Sequence, residues 1–206
     1  MFEIENIDRF ADIMNAYCSL SDECIKALWG IARTEEFGKD EMIVEQDKPC
    51  GNIFIIAEGV ARVVYRKGKK EDTVCFGRGG DIFFSFHEFY SGDKPAFGLS
   101  AVDYFVAGWW IPIEKFKALE AKYPEMYRWM QNLLVEQFYS FEILYRKLAL
   151  STPVEKFDNF WHFLTPNLRS NPPKSLSRTL PLKYLAQYLG ITPQTLSNIR
   201  RKFVGK

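Results

Sequence analysis

Three side chains near the end of the chain could form hydrogen bonds with the edges of nucleic-acid bases. Gln194, Asn198 and Arg201 stand at i, i+4 and i+7, so they share one face of a helix. Gln and Asn can each make a bidentate pair with adenine, and Arg can make one with guanine. Hydroxyl-bearing and basic neighbours flank this face and are suited to phosphate oxygens, namely Thr192, Thr195, Ser197, Arg200 and Lys202. The pattern predicts a helix that reads DNA, and the competing interpretation is an ordinary solvated helix surface.

The distribution of charge favours the DNA interpretation. The last 48 residues hold eight Lys and Arg and no acidic residue, a charge of +8, although the whole chain carries only +1. Residues 1–158 therefore carry −7. A solubilising basic tail is the alternative, but such tails are poor in apolar residues and unpatterned. This tail repeats apolar residues at helical spacing, namely Leu180, Leu182, Leu185, Leu189, Ile191, Leu196, Ile199 and Phe203.

The residues before and within the base-reading segment fit a helix-turn-helix. This motif needs a small residue where its helices cross, a glycine in the turn, an apolar residue after the turn and two more in the second helix. These places are filled, in order, by Ala186, Gly190, Ile191, Leu196 and Ile199. Thr192 is a suitable N-cap and Pro193 suits the first helical position. Because some helix-turn-helix folds bind proteins instead, protein interaction stays an alternative.

A long helix is predicted upstream, because residues 124–150 contain no glycine and no internal proline. Apolar residues recur along it at steps of three and four, namely Met130, Leu134, Phe138, Phe141, Tyr145 and Leu148. Part of this stripe is expected to pack on the chain's own core. Its length and width favour coiled-coil-like pairing with a second copy, so the sequence predicts a homodimer.

The remaining sequence changes period twice. Residues 5–33 have helical spacing, with Ser21 placed to cap a second helix. Residues 40–112 form six or more short β-type runs separated by glycine turns, which is typical of an antiparallel barrel or sandwich. The predicted organisation is a β-domain with N-terminal helices, a dimerisation helix and a DNA-binding domain, over residues 1–122, 123–150 and 151–206.

In this order, the elements resemble the Crp/Fnr family of bacterial transcription regulators. The segments that carry the resemblance are "MIVEQDKPCGNIFIIAEGVARVV", "GGDIF", "YFVAGWWIPIEKF" and "LKYLAQYLGITPQTLSNIRRK". The resemblance implies an α+β fold: an antiparallel double-stranded β-helix or jelly roll of the cyclic-nucleotide-binding kind, a long dimerisation helix and a small all-α helix-turn-helix domain. It also implies a cytoplasmic, homodimeric, double-stranded DNA-binding regulator, with RNA polymerase as a further expected contact.

The phosphate-binding cassette departs from the pattern of relatives that bind cyclic AMP. Those relatives follow the cassette glycines with Gly-Glu-Leu, whose glutamate holds the ribose, and later carry an arginine that holds the cyclic phosphate. Phe84 and Ser85 stand in place of Gly and Glu, and Pro95 and Ala96 lie near the arginine's place. Burying a phosphate without its cation is costly. We therefore expect no cyclic AMP binding in the family's manner.

Aromatic residues crowd the cassette instead. One hypothesis is a pocket for an apolar or aromatic effector, with Ser85 or His87 supplying an orienting hydrogen bond. Its candidate residues are Phe83, Phe84, Ser85, Phe86, His87, Lys94 and Phe97. The favoured alternative is that these rings fill a vestigial pocket. A small-molecule sensor whose helix-turn-helix binds protein is the second functional hypothesis.

Catalytic and metal-binding patterns are missing from the sequence. His87 is the only histidine of the β-region, which leaves a cupin-type metal site without ligands, and the four cysteines lack zinc spacing. No Gly-x-Ser-x-Gly, phosphate loop or Cys-His pairing occurs. We therefore expect no enzyme activity, metal or cofactor. No secretory or membrane-spanning pattern occurs either, which predicts a cytoplasmic protein without membrane contact.

Overall fold

The chain folds into helices and two antiparallel sheets. The structure is a computed structural model that describes residues 6–157 and 180–204. Its strands are β1 (Arg33–Phe37), β2 (Met42–Val44), β3 (Asn52–Glu58), β4 (Val60–Lys67), β5 (Lys70–Arg78), β6 (Ile82–Phe83), β7 (Gly98–Ala101) and β8 (Val106–Pro112). Its helices are α1 (Ile7–Asn15), α2 (Asp22–Ile31), α3 (Ile113–Lys122), α4 (Glu125–Leu150), α5 (Leu182–Leu189) and α6 (Pro193–Val204). The predicted α+β class with antiparallel sheets is confirmed.

The eight strands form a β-roll of two four-stranded sheets. One sheet has the order β1-β8-β3-β6 and the other β2-β7-β4-β5. Alternate residues of both sheets fill a shared core, in which Phe37 packs edge-on against Phe54 at 5.6 Å between ring centroids. Within the first sheet, β8 passes close to β3 at Gly108, since a Cβ there would lie 2.2 Å from the carbonyl oxygen of Ile55. Aromatic and aliphatic side chains fill the core between the two sheets.

The other face of the first sheet is covered by helices. Trp109 of β8 is fully buried there, with its ring 5.4 Å from that of Phe10 in α1. Ser21 caps α2 as the sequence predicts, because its hydroxyl accepts a hydrogen bond from the N–H of Cys24. Trp129 anchors the first half of α4 to this core. Within residues 6–157 and 180–204, no helix combines the length and the apolar character that a membrane span requires.

A five-residue π-helical turn, His87–Ser91, lies between β6 and β7, where the cassette was expected. Its end is set by Gly92, whose φ of 71° is the left-handed conformation that glycine adopts without strain. The Ser85 hydroxyl accepts a hydrogen bond from the N–H of Glu88 at 3.2 Å. Ser85 therefore serves as a local cap in this structure.

Candidate DNA-binding surface

Helices α5 and α6 are joined by a tight turn at Gly190. This glycine has a φ of 64°, and the following Ile191 N–H donates to the carbonyl of Ala186 at 3.0 Å. The hydroxyl of Thr192 accepts from the N–H of Thr195 at 3.1 Å, which makes Thr192 the N-cap of α6. Local sequence chemistry thus fixes where α5 ends and where α6 begins.

A small apolar core holds the two helices together. Ala186 and Leu189 of α5 are buried, as are Leu196 and Ile199 of α6. Leu196 has no exposed surface at all. Phe157 belongs to the same cluster, so the chain before residue 158 contributes to it. The buried side of α6 fixes the direction of its opposite face.

The candidate base-reading side chains lie on that opposite face. Gln194, Asn198 and Arg201 are all exposed. The Gln194 amide donates to Oδ1 of Asn198 at 3.4 Å, so the two amides lie next to each other along the helix. The structure therefore brings these three residues together on one accessible surface.

The residues expected at phosphates lie beside this face with differing exposure. Thr192 is exposed, whereas Thr195, Ser197 and Arg200 are half-buried. The hydroxyls of Thr192 and Thr195 are 2.9 Å apart and form a hydrogen bond with each other. The structure does not describe the side chain of Lys202. All charged side chains of α5 and α6 are basic, so nothing on these helices repels a polyanion.

The apolar stripe of α4 divides into a covered half and an exposed half. Met130 is only 4% exposed and packs in the helical core, as Leu134 does in part. Phe138, Phe141 and Tyr145 are instead 65%, 63% and 67% exposed. Met130 is therefore not part of the exposed apolar surface. The structure does not describe the side chain of Leu148. Val135, Tyr139, Ile143 and Leu150 add further exposed apolar surface along the same helix.

The residues of the predicted effector pocket have different surroundings. Phe84 is buried among the helices, and Phe83 packs against the core between the sheets. Phe97 is exposed, with its ring 5.9 Å from that of Tyr65 on the outside of the roll. The other exposed members are Phe86, His87 and Lys94. Phe84 and Phe86 lie next to each other, with ring centroids 4.8 Å apart, whereas Phe83 and Phe97 lie in other surroundings.

An open cleft lies elsewhere on the β-roll. It encloses about 480 Å³ beside Arg33, Lys48 and Trp110. None of the seven candidate effector residues lines it. The indole N–H of Trp110 donates to Glu35 at 2.6 Å across this region, so part of its polar lining is already paired.

Sequence reasoning missed the residues through which the β-roll contacts α5. Arg62 of β4 is buried at 3% exposure, and Thr73 of β5 is buried at 4%. Burial raises the pKa of Glu71, but hydrogen bonds from Arg62 and Arg66 outweigh burial and lower it. Burial also raises the pKa of Tyr188 in α5 to about 12. Arg62, which stands among the apolar residues at the start of β4, was the available signal for this contact.

Comparisons with known proteins identify the fold. No protein-family model matches the sequence, and no curated protein matches it either. Among solved structures, FixK2 from Bradyrhizobium japonicum is similar over 85% of both chains, with a TM-score of 0.72 and 17% identity.

Two further solved structures show the same likeness. CLP from Xanthomonas campestris, a c-di-GMP-responsive global regulator, matches 90% of this chain and 92% of its own at a TM-score of 0.69 and 12% identity. A variant of CooA from Carboxydothermus hydrogenoformans matches 85% of this chain and 78% of its own at 0.65 and 18%. The chain therefore has the Crp/Fnr-type fold that the sequence predicted.

Proposed function

We propose that the protein is a sequence-specific DNA-binding transcription regulator that acts as a homodimer and without catalysis. The observation that carries this proposal is the exposed face of Gln194, Asn198 and Arg201 on a helix that is fixed from behind by Leu196 and Ile199. Amide and guanidinium groups in this arrangement fit the hydrogen-bonding pattern of the major groove. Similarity to the folds of FixK2, CLP and CooA supports the same role.

The exposed half of α4 supplies the dimer interface in this proposal. Phe138, Phe141 and Tyr145 form an apolar surface that an isolated chain would leave in water. A two-fold pair of chains would place two α6 helices about 34 Å apart, one turn of DNA. The operator is then an inverted repeat. The proposal includes two further predictions. The regulator contacts RNA polymerase, and the domain boundaries fall between residues 122 and 123 and between residues 150 and 151.

Selection of bound fragments from a random duplex library tests the proposal directly. We expect an inverted repeat with half-site centres about 10 base pairs apart, bound more tightly than random DNA by about 10³-fold or more. Binding should weaken as salt rises, because phosphate contacts release counterions. If no duplex shifts the protein at low salt, the proposed function is wrong.

Two substitutions on α6 separate base reading from phosphate binding. Asn198→Ala should relax preference at one base pair and cost about 1–3 kcal/mol on the selected site only. Arg200→Ala should weaken all sequences alike and reduce the salt slope by about 1. Titrations of selected and random duplexes at several salt concentrations measure both effects. Equal losses on both duplexes for Asn198→Ala would contradict its assignment to bases.

Cyclic AMP should not stabilise the protein. Ser85 stands where the ribose-binding glutamate would be needed, next to the buried Phe84, and Lys94 is exposed to solvent near the place of the phosphate-binding arginine. A ligand at a hundred times its Kd adds about 2.7 kcal/mol to stability, or roughly 5–10 °C in Tm for a chain of this size. A thermal melt with millimolar cyclic AMP should show no such shift. A shift with small aromatic acids instead would favour the effector-pocket hypothesis.

A further inference from the structure

Helix α5 rests on the edge of the β-roll through a paired side-chain amide. Strand β5 lies at the edge of its sheet. Gln187 donates through Nε2 to the backbone carbonyl of Glu71 at 2.7 Å, and its Oε1 accepts from the hydroxyl of Thr73 at 2.9 Å. Both polar atoms of one amide therefore bind to the same strand, which fixes the position of α5 along it.

A buried guanidinium reinforces this contact. Arg62 projects from β4 beneath α5, and its Cζ lies 3.8 Å from the ring centroid of Tyr184. The same guanidinium forms an ion pair with Glu71, and its Nη1 donates to Thr73 at 3.3 Å. Thr73 thus joins Arg62 to Gln187. A cation that is desolvated under an aromatic ring interacts with it more strongly than an exposed cation would.

Further contacts flank this network on both sides. The hydroxyl of Tyr184 donates to Oδ1 of Asp40 at 2.7 Å. The ring of Tyr188 packs edge-on against Phe76 of β5, with centroids 5.6 Å apart. Helices α5 and α6 carry no carboxylate of their own, so the acidic partners come from the β-roll. At this contact the β-roll therefore supplies the carboxylate and α5 supplies the hydroxyl donor.

The contact leaves the candidate DNA-binding face open. Gln194, Asn198 and Arg201 remain exposed while Tyr184, Gln187 and Tyr188 of α5 face the β-roll. The docked arrangement is therefore compatible with bound DNA.

We propose that the β-roll is the positioning element of the helix-turn-helix. Arg62 and Thr73 act through Tyr184 and Gln187 to fix the direction of α6, so that each chain binds DNA as one rigid body. This inference rests on the proposed function, and it makes Arg62 a residue needed for operator geometry although it contacts no DNA.

Because each chain is proposed to bind DNA as one rigid body, the dimer should tolerate only one spacing between half-sites. Each inserted base pair rotates one half-site by roughly 35° about the DNA axis, because a turn holds 10–10.5 base pairs. A rigid dimer can then engage only one half-site, and the wild-type protein should lose about 10²-fold or more in affinity. A loosely tethered helix-turn-helix would follow the displaced half-site and lose much less.

The test compares full-length variants on the selected operator and on the same operator with one or two base pairs inserted at its centre. Gln187→Ala and Arg62→Met should each reduce the spacing penalty to about tenfold or less. Asn132→Ala is the matched control, because the Asn132 amide also donates to a backbone carbonyl, that of Tyr17 at 2.7 Å, but between α4 and the chain that follows α1. It should keep the wild-type penalty. An unchanged penalty in both Gln187→Ala and Arg62→Met would overturn the inference.

Amide hydrogen exchange without DNA keeps the inference testable if the proposed function fails. The amides of α5 should exchange at least about fivefold faster in Gln187→Ala and Arg62→Met, and at the wild-type rate in Asn132→Ala. Alanine favours helix more than glutamine does, so a weaker helix would not explain faster exchange in Gln187→Ala. Unchanged exchange in both variants shows that the contact does not hold α5. If the wild-type protein binds no DNA but the two variants still show faster exchange in α5, only the DNA-binding role is contradicted.

Discussion

Replacing Phe138 and Phe141 together by glutamate is expected to make the protein monomeric and to lower its affinity for the inverted repeat by about 10²- to 10⁴-fold. Both rings are largely exposed on the second half of α4. In the proposed dimer they pack against the partner helix, where two pairs of carboxylates would be desolvated and would repel each other. Each α6 would then bind its half-site alone.

Sedimentation and binding measurements check this result. The double variant should sediment as a monomer at micromolar concentration, and its affinity for an isolated half-site should match that of the wild-type protein. Its Tm should change little, because substitutions at exposed positions usually cost less than about 0.5 kcal/mol.

Tyr104→Glu provides a control for the added charge. Tyr104 is 85% exposed and lies in the turn between β7 and β8, where Lys39 lies over its ring. This variant should remain dimeric and should bind the operator normally. A double variant that still sediments as a dimer would show that α4 is not the interface.

The helix-turn-helix was readable from the sequence because its constraints are local. Gly190 must adopt a left-handed φ, and Thr192 must cap the next helix within three residues. Once the start of α6 is fixed, the helical period places Gln194 and Asn198 on one face. The same logic predicted the Ser21 cap of α2. Interactions within a few residues are encoded by spacing alone.

The division of the α4 stripe could not be predicted in the same way. Helical period places Met130 and Phe138 on the same side, but it does not say how far the β-roll extends along the helix. In the folded chain, the first half of α4 meets α1 and α3 and the second half extends past them. Burial along one continuous stripe is therefore decided by the length of the neighbouring elements.

The contact between Gln187 and the β-roll could not be predicted from the sequence, for a related reason. Thr73 and Gln187 are separated by 114 positions, and polar residues on strands and helices usually face water. The dispersal of the cassette aromatics also depends on tertiary placement, since Phe83 and Phe84 are neighbours in sequence but face different cores. Alternation along a strand indicates that neighbouring side chains point to opposite faces of the sheet. It does not indicate which elements cover each face.

Trp129→Ala is expected to destabilise the protein by about 3–5 kcal/mol, a large part of the roughly 5–15 kcal/mol that holds a typical domain folded. Trp129 is 1% exposed, and its indole N–H donates to the carbonyl of Met14 at 2.6 Å. Its ring lies 5.7 Å from that of Phe116 in α3 and 5.5 Å from that of Tyr17. One side chain thus links α4 to the end of α1 and to α3.

Two further variants resolve this effect into its causes. Trp129→Phe keeps an aromatic ring but removes the indole hydrogen bond to the Met14 carbonyl, so about 1–3 kcal/mol should be lost. Tyr127→Ala removes a ring that is 63% exposed on the same helix, and its stability should stay within about 0.5 kcal/mol of wild type. Urea unfolding followed by circular dichroism compares all three variants.

Because the anchored half of α4 sets the direction of its exposed half, Trp129→Ala should also weaken dimerisation under conditions where the chain is still folded. Equal unfolding midpoints for Trp129→Ala and Tyr127→Ala would mean that α4 is held by contacts other than this tryptophan.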